Sequence, residues 1–210
     1  MGRRPRTDYA GALQHVAVQG NLQQPLFAHS HERRMMLRLL AETGQKYGWR
    51  CLSYVLMTNH VHLVLETPEA NLAAGMQQLN TRFSKAMHDR RGRLGHMLRN
   101  RYFSVAVEEE EHVLELTRYL PLNPVKAGLI EQPEDYIWSS YGAELKLLPA
   151  EGGVTVGWAT ALHGSVEALR RFVAAGMAEP GAPGGTPGSE TPVTPPRAEG
   201  RTAPQRPAWA

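Results

Sequence analysis

The stretch YVLMTNHVHLVLET, Tyr54–Thr67, is apolar almost throughout yet carries two histidines one residue apart, His60 and His62. Two runs rich in Val, Leu and Tyr flank Thr58-Asn59, and Asn is a favoured turn residue, so the segment from Trp49 to Thr67 predicts a β-hairpin. Side chains alternate faces along a strand, which puts His60 and His62 on one face and Val61 and Leu63 on the other. Two neutral imidazoles held side by side are what a rigid strand can offer a divalent metal. A lone pair of this kind also occurs as two partly exposed rings on a sheet face, and the hairpin by itself leaves both readings open.

Outward from the hairpin, QHVAVQGN alternates like a strand and ends at Gly20-Asn21, a turn signal. HERRMMLRLLAETGQKYGW sets Met35, Met36, Leu39 and Leu40 at helical spacing among charges, with Ser30 as the expected N-cap. After the hairpin, Leu72, Met76, Leu79, Phe83 and Met87 form one stripe of a second helix. A short strand is expected at YFSVAV, followed by a helix over EEEEHVLELTRYL whose acidic start suits a helix N-terminus. The order βα-ββ-αβ predicts an α+β fold: a ferredoxin-like or RRM-like antiparallel sheet with helices packed mainly on one face. HGSVEALRRFVAAGM reads as a final amphipathic helix.

Composition bounds the function. The chain has 210 residues, 42% of them hydrophobic, and one cysteine, Cys51, which excludes a disulfide framework and multi-cysteine zinc modules. Paired cysteines for a zinc deaminase are missing, as is the second histidine motif of a two-histidine phosphoesterase. Lys and Arg total 23 against 20 Asp and Glu, a mild excess compatible with nucleic acid. The N-terminus lacks the apolar run of a signal peptide and no segment has the length of a membrane span, so a cytoplasmic protein with no membrane partner is expected. Residues 179–210 hold more than half of the 15 prolines and almost no aliphatic residues, and read as a disordered Pro/Gly-rich tail. The expected division is 1–150 as the chemical domain, 151–178 as a C-terminal helical extension and 179–210 as the tail.

A second constellation lies in TRYLPLNPVKAGL, where Tyr119 and Asn123 are four apart and share one face of a helix. Asn123 can give an amide oxygen to a hard metal, and Tyr119 a phenolic nucleophile beside it. Together with YVLMTNHVHLVLET, NLAAGMQQLNTRFSKAMHDRRGRLGHMLRNRYFS and RYLPLNPVKAGLIEQPEDYIWSSY, this resembles the REP-associated tyrosine transposases. These are single-tyrosine transposases within the HUH superfamily of single-strand DNA endonucleases. The resemblance spans about Tyr9–Tyr141 and implies the RRM-like sheet. It also implies His60, His62 and Asn123 as ligands of Mg²⁺ or Mn²⁺, with Tyr119 as the nucleophile that forms a 5′-phosphotyrosine on single-stranded or hairpin (REP-like) DNA. Monomer and homodimer are both compatible with it.

The run RFSKAMHDRRGRLGHMLRNRYF supplies Arg82, Lys85, Arg90, Arg91, Arg93, Arg99 and Arg101 as candidate phosphate contacts, with Phe83, Tyr102 and Phe103 interleaved to stack on bases. A solvated surface is the plain alternative for any one of these charges, and RRPR at Arg3–Arg6 reads either as an arm on DNA or as a loose terminus. Two positions depart from the family pattern: Thr58 in MTNHVH, where a polar residue suits the turn, and Pro121 between Tyr119 and Asn123. Pro121 removes the helical bond to the Thr117 carbonyl, which gives weight to a catalytically inactive, domesticated nucleic-acid-binding module of the same fold. The WSSY segment, Trp138–Tyr141, is assigned to packing.

Overall fold

The computed structural model describes residues 8–21, 25–92, 97–99 and 101–177. Arg3–Arg6 and the expected tail lie outside the described residues. The hairpin forms: β2 (Arg50–Leu56) and β3 (His60–Thr67) pair antiparallel. On the other side of β3, β1 (Ala12–Gln19) runs antiparallel from Ala12 opposite Thr67 to Gln19 opposite His60, and β4 (Phe103–Ala106) pairs with β1. The resulting order β2-β3-β1-β4 is the ferredoxin-like arrangement expected from the element sequence.

Two long helices, α1 (Ser30–Tyr47) and α2 (Leu72–Arg91), cover one face. There Val16, Val18, Val61, Leu63 and Leu65 of the sheet meet Met36 and Leu40 of α1 and the whole predicted stripe of α2, all buried. Helix α1 begins one residue earlier than the Ser30 cap expected: His29 is the N-cap and Ser30 the first helical residue. The reason is Glu32, whose carboxylate reaches back to accept from the backbone N–H groups of Ala28 (2.6 Å) and His29 (3.0 Å). Gly75 is needed where α2 meets the connection from α1 to β2, because a Cβ there would lie 2.1 Å from the Trp49 ring.

The opposite face, the one carrying the histidines, is crossed by α3 (Glu110–Lys126). Val113, Leu116 and Leu120 pack on Leu13, Val55 and Val64. The helix runs unbroken through Pro121 and Pro124. Burial on both sides explains this, because α3 is held to the sheet on one side and to the C-terminal helices on the other. Those are α4 (Tyr141–Glu144), α5 (Trp158–His163) and α6 (Val166–Ala175), where Leu169 and Val173 pack with Leu122 of α3. The Thr117 hydroxyl donates to the Leu114 carbonyl (2.7 Å) and accepts from His163 Nε2 (2.8 Å), tying α5 to α3 one turn before Pro121. The WSSY segment does pack: Leu56 N–H donates to the Trp138 carbonyl and Ser140 N–H to the Tyr54 carbonyl, covering the outer edge of β2.

Candidate active site

The antiparallel register sets the first row of the site. Val55 of β2, His62 of β3, Ala17 of β1 and Phe103 of β4 lie opposite one another in sequence across the sheet, on the α3 side. His60 sits two residues earlier on the same face, opposite Gln19. Both histidines are buried, at 4% and 1% exposure, so the partly exposed pair that the hairpin alone allowed is not what forms. Their rings meet edge-on with centroids 4.9 Å apart.

Helix α3 brings Tyr119 over this row. Its ring stands edge-on to His62, centroids 5.4 Å apart at 82°. Two segments 57 residues apart in sequence, the HVH strand and the RYLPLNP helix, therefore meet as the motifs suggested. Asn123 lies one turn further on, half-buried, with its side-chain N–H on the Tyr119 carbonyl (2.7 Å). Burial pushes the Tyr119 phenol up to about 12, with hydrogen bonding from Asn123 acting the other way. The phenol is consequently protonated near neutral pH.

One functional-looking residue escaped the sequence reading. His15 of β1, 1% exposed, places its Nε2 3.1 Å from His62 Nδ1, and its ring is 5.8 Å from that of Tyr119. The signal was a polar residue inside an apolar strand, but its meaning needs the β1–β3 register. Burial, then the neighbouring His112, lowers His15 to about 4. Burial, then His15 and His60, holds His62 well below the usual histidine value. Both rings are neutral at physiological pH, the state in which imidazole ligates metals.

These donors fit a divalent cation. His62 Nε2 is buried and has no protein hydrogen-bond partner, an open nitrogen on the side away from His15. Among the described residues no cluster of three or more His, Cys, Asp or Glu side chains could hold a metal. A shell built on His60 and His62 would thus draw its remaining ligands from amide or phosphate oxygens and water, which suits Mn²⁺ or Mg²⁺ better than a closed zinc site.

The basic run divides. Arg91 is a structural residue: its guanidinium bonds both Glu32 oxygens (2.8 and 2.6 Å) and the carbonyls of Pro25 and Leu26. A phosphate contact from it would have to break that buried clamp. Arg82 pairs with Glu42, and Arg82, Lys85 and Arg90 lie exposed on α2, across the sheet from Tyr119. Exposed Arg99 is at the site's edge, its N–H donating to the carbonyl of Gln19, the partner of His60; Arg101 is exposed between it and β4. Arg93 lies outside the described residues. Of the three aromatics proposed for stacking, Phe83 and Tyr102 are buried in the core, whereas Phe103 is 47% exposed on the histidine face.

The profile of the family described as "Transposase IS200 like" matches residues 11–122, which include both histidines and Tyr119. A Haemophilus influenzae protein assigned as a REP-associated tyrosine transposase is 22% identical over 116 residues, 50% of this chain and 66% of that protein, just under two thirds of its length. A solved REP-associated tyrosine transposase bound to a REP hairpin shares the fold with a TM-score of 0.62 at 18% identity, over 71% of this chain and 89% of that one. The family resemblance drawn from the motifs is borne out.

Proposed function

We propose that this chain, which belongs to the IS200-like transposase family, cuts and rejoins single-stranded DNA next to a hairpin with Tyr119 as nucleophile. The observation that carries the reading is the meeting of Tyr119 with His62, 5.4 Å between ring centroids, beside a buried nitrogen with no protein partner. The Tyr119 oxygen forms a bond to phosphorus as the bond from phosphorus to the 3′-oxygen breaks, giving a 5′-phosphotyrosine and a free 3′-hydroxyl. The phosphodiester energy is kept in that link, so a 3′-hydroxyl can reverse the step and rejoin DNA without ATP.

His60 and His62, with Asn123 as third protein ligand, would hold a Mg²⁺ or Mn²⁺ ion, which when bound would supply charge neutralisation at the scissile phosphate. Asn123 also hydrogen-bonds toward the phenol and favours its ionised form, which burial disfavours. Arg99 and Arg101 follow the incoming backbone. Phe103, two strand spacings or ~10 Å from His62, offers a face for an unpaired base. Hairpin DNA is the substrate favoured by the hairpin-bound relative. Tyr119 and His62 meet within one chain, an arrangement compatible with a monomer and with a homodimer alike.

The second reading, a domesticated binding module without cleavage, draws on the raised Tyr119 phenol, a poor nucleophile until activated. Tyr119→Phe separates the two. On a single-stranded hairpin substrate with Mn²⁺, the variant keeps binding and loses cleavage if the nuclease reading is right. Cleavage that survives in the variant assigns the nucleophile elsewhere, and a wild-type protein that binds without cutting favours the module.

A further inference from the structure

The chemistry above gives no task to His15, although it is the residue in direct hydrogen-bond contact with a proposed ligand. We propose that His15 is a positioning residue that fixes the tautomer of His62: its Nε2 accepts the Nδ1–H of His62, leaving the His62 Nε2 lone pair for the cation. The inference rests on the metal role assigned to His62.

The geometry follows from the register. His15 stands opposite Val64 and therefore diagonal to His62, whose direct partner on β1 is Ala17. The small Ala17 side chain leaves room for the His15 ring to lean along the strand. The two rings come within 25° of parallel with centroids 5.2 Å apart, so that the 3.1 Å contact joins nitrogen to nitrogen. Each neutral imidazole has one N–H and one lone pair, and the contact takes one of each.

Two arrangements satisfy it. If His15 donates, His62 Nε2 carries a proton and cannot ligate. If His62 donates, Nε2 is a bare donor. Each leaves one N–H and one lone pair without a protein partner, since His15 Nδ1 and His62 Nε2 are both buried and unbonded. The hydrogen bond alone is therefore balanced, and a cation at Nε2 decides it: the metal-bound state requires His15 as acceptor. Ligating histidines are generally oriented by an acceptor on their second nitrogen, usually a carboxylate or carbonyl. A neutral imidazole does this without adding negative charge where a phosphodiester must approach. It also excludes rotation of the His62 ring away from the cation, because that would strand a buried nitrogen pair.

The test uses the full chain. With ¹⁵N-labelled histidines and saturating Mg²⁺, long-range nitrogen–proton spectra should show His62 protonated on Nδ1; protonation on Nε2 overturns the proposal. Free Mn²⁺ measured by electron paramagnetic resonance should show His15→Phe, which keeps a ring but no acceptor, binding at least ~10-fold more weakly than wild type. His15→Gln, whose amide oxygen can reach the position of the lost Nε2, should restore most of the affinity. Equal Mn²⁺ affinity in wild type and His15→Phe overturns the proposal while leaving His62 a ligand. Absence of Mn²⁺ binding by the wild type removes the metal reading itself and this inference with it.

Discussion

Replacing Arg91 with alanine would remove the guanidinium that bolts the end of α2 to the start of α1. Its partner Glu32 has a side chain only 2% exposed, and Arg91 itself is 17% exposed. Burial alone would raise the Glu32 carboxyl, but the Arg91 hydrogen bonds and the N–H groups of His29 and Ala28 outweigh it and bring it from 4.5 down to about 2. At ~1.4 kcal/mol for each tenfold change in proton affinity, that net displacement corresponds to about 3 kcal/mol of stability, contributed jointly by Arg91 and the two backbone N–H groups, and loss of Arg91 also leaves the buried carboxylate without its charge partner. This agrees with the loss typical of stranding one partner of a buried pair. Because the folded value lies below the unfolded one, the contribution is complete above 4.5 and is lost as pH falls from there toward 2. Arg91→Ala should therefore be about 3 kcal/mol less stable than wild type in urea unfolding near neutral pH, with the gap narrowing at about pH 3. Arg90→Ala, one residue away and exposed, should change stability by less than ~0.5 kcal/mol. A gap under ~1 kcal/mol near neutrality, or one that does not narrow in acid, refutes the clamp and returns Arg91 to the DNA surface.

Three further outcomes follow from the geometry. His60→Ala and His62→Ala should each abolish Mn²⁺-dependent cleavage of a single-stranded hairpin while leaving the circular dichroism spectrum native; metal-dependent turnover by both would remove them from the metal site. Phe103→Ala should weaken single-stranded DNA binding by about 1–2 kcal/mol in fluorescence anisotropy, and Phe103→Trp should retain it, whereas an unchanged alanine variant makes the exposed ring a bystander. Gly75→Ala, which sets a methyl group against the Trp49 indole, should lower stability by ~1–3 kcal/mol and perturb tryptophan fluorescence; a neutral result means that α2 shifts freely.

Much of the fold was legible because its signals are local. The hairpin around Thr58-Asn59 and the Leu72-Met76-Leu79-Phe83-Met87 stripe each follow from a period and a turn residue, and both formed as expected. His60, His62 and Tyr119 were legible as motifs, and their meeting depended on α3 crossing the histidine face. What was hidden depends on tertiary pairing. Arg91 looks in sequence like its neighbours Arg90 and Arg93, and only the buried Glu32, 59 residues away, distinguishes it. His15 is one polar residue in an apolar strand until the register sets it beside His62. Pro121 reads as a helix breaker, but α3 is buried between the sheet and α6, and this packing outweighs one lost backbone bond. Phe83 and Tyr102 share the basic run with Phe103, yet only Phe103 occupies a strand position that leaves its ring on the open part of the site face.

The central claim is that Tyr119 attacks DNA from beside His62, and covalent capture tests it directly. The full chain is incubated with a single-stranded hairpin oligonucleotide and Mn²⁺, the adduct is isolated under denaturing conditions, and the modified peptide is sequenced by mass spectrometry. The account predicts a DNA phosphate on Tyr119, absent from Tyr119→Phe and from His62→Ala. An adduct on another tyrosine, Tyr102 included, or no adduct with either Mn²⁺ or Mg²⁺ while the hairpin remains bound, contradicts it.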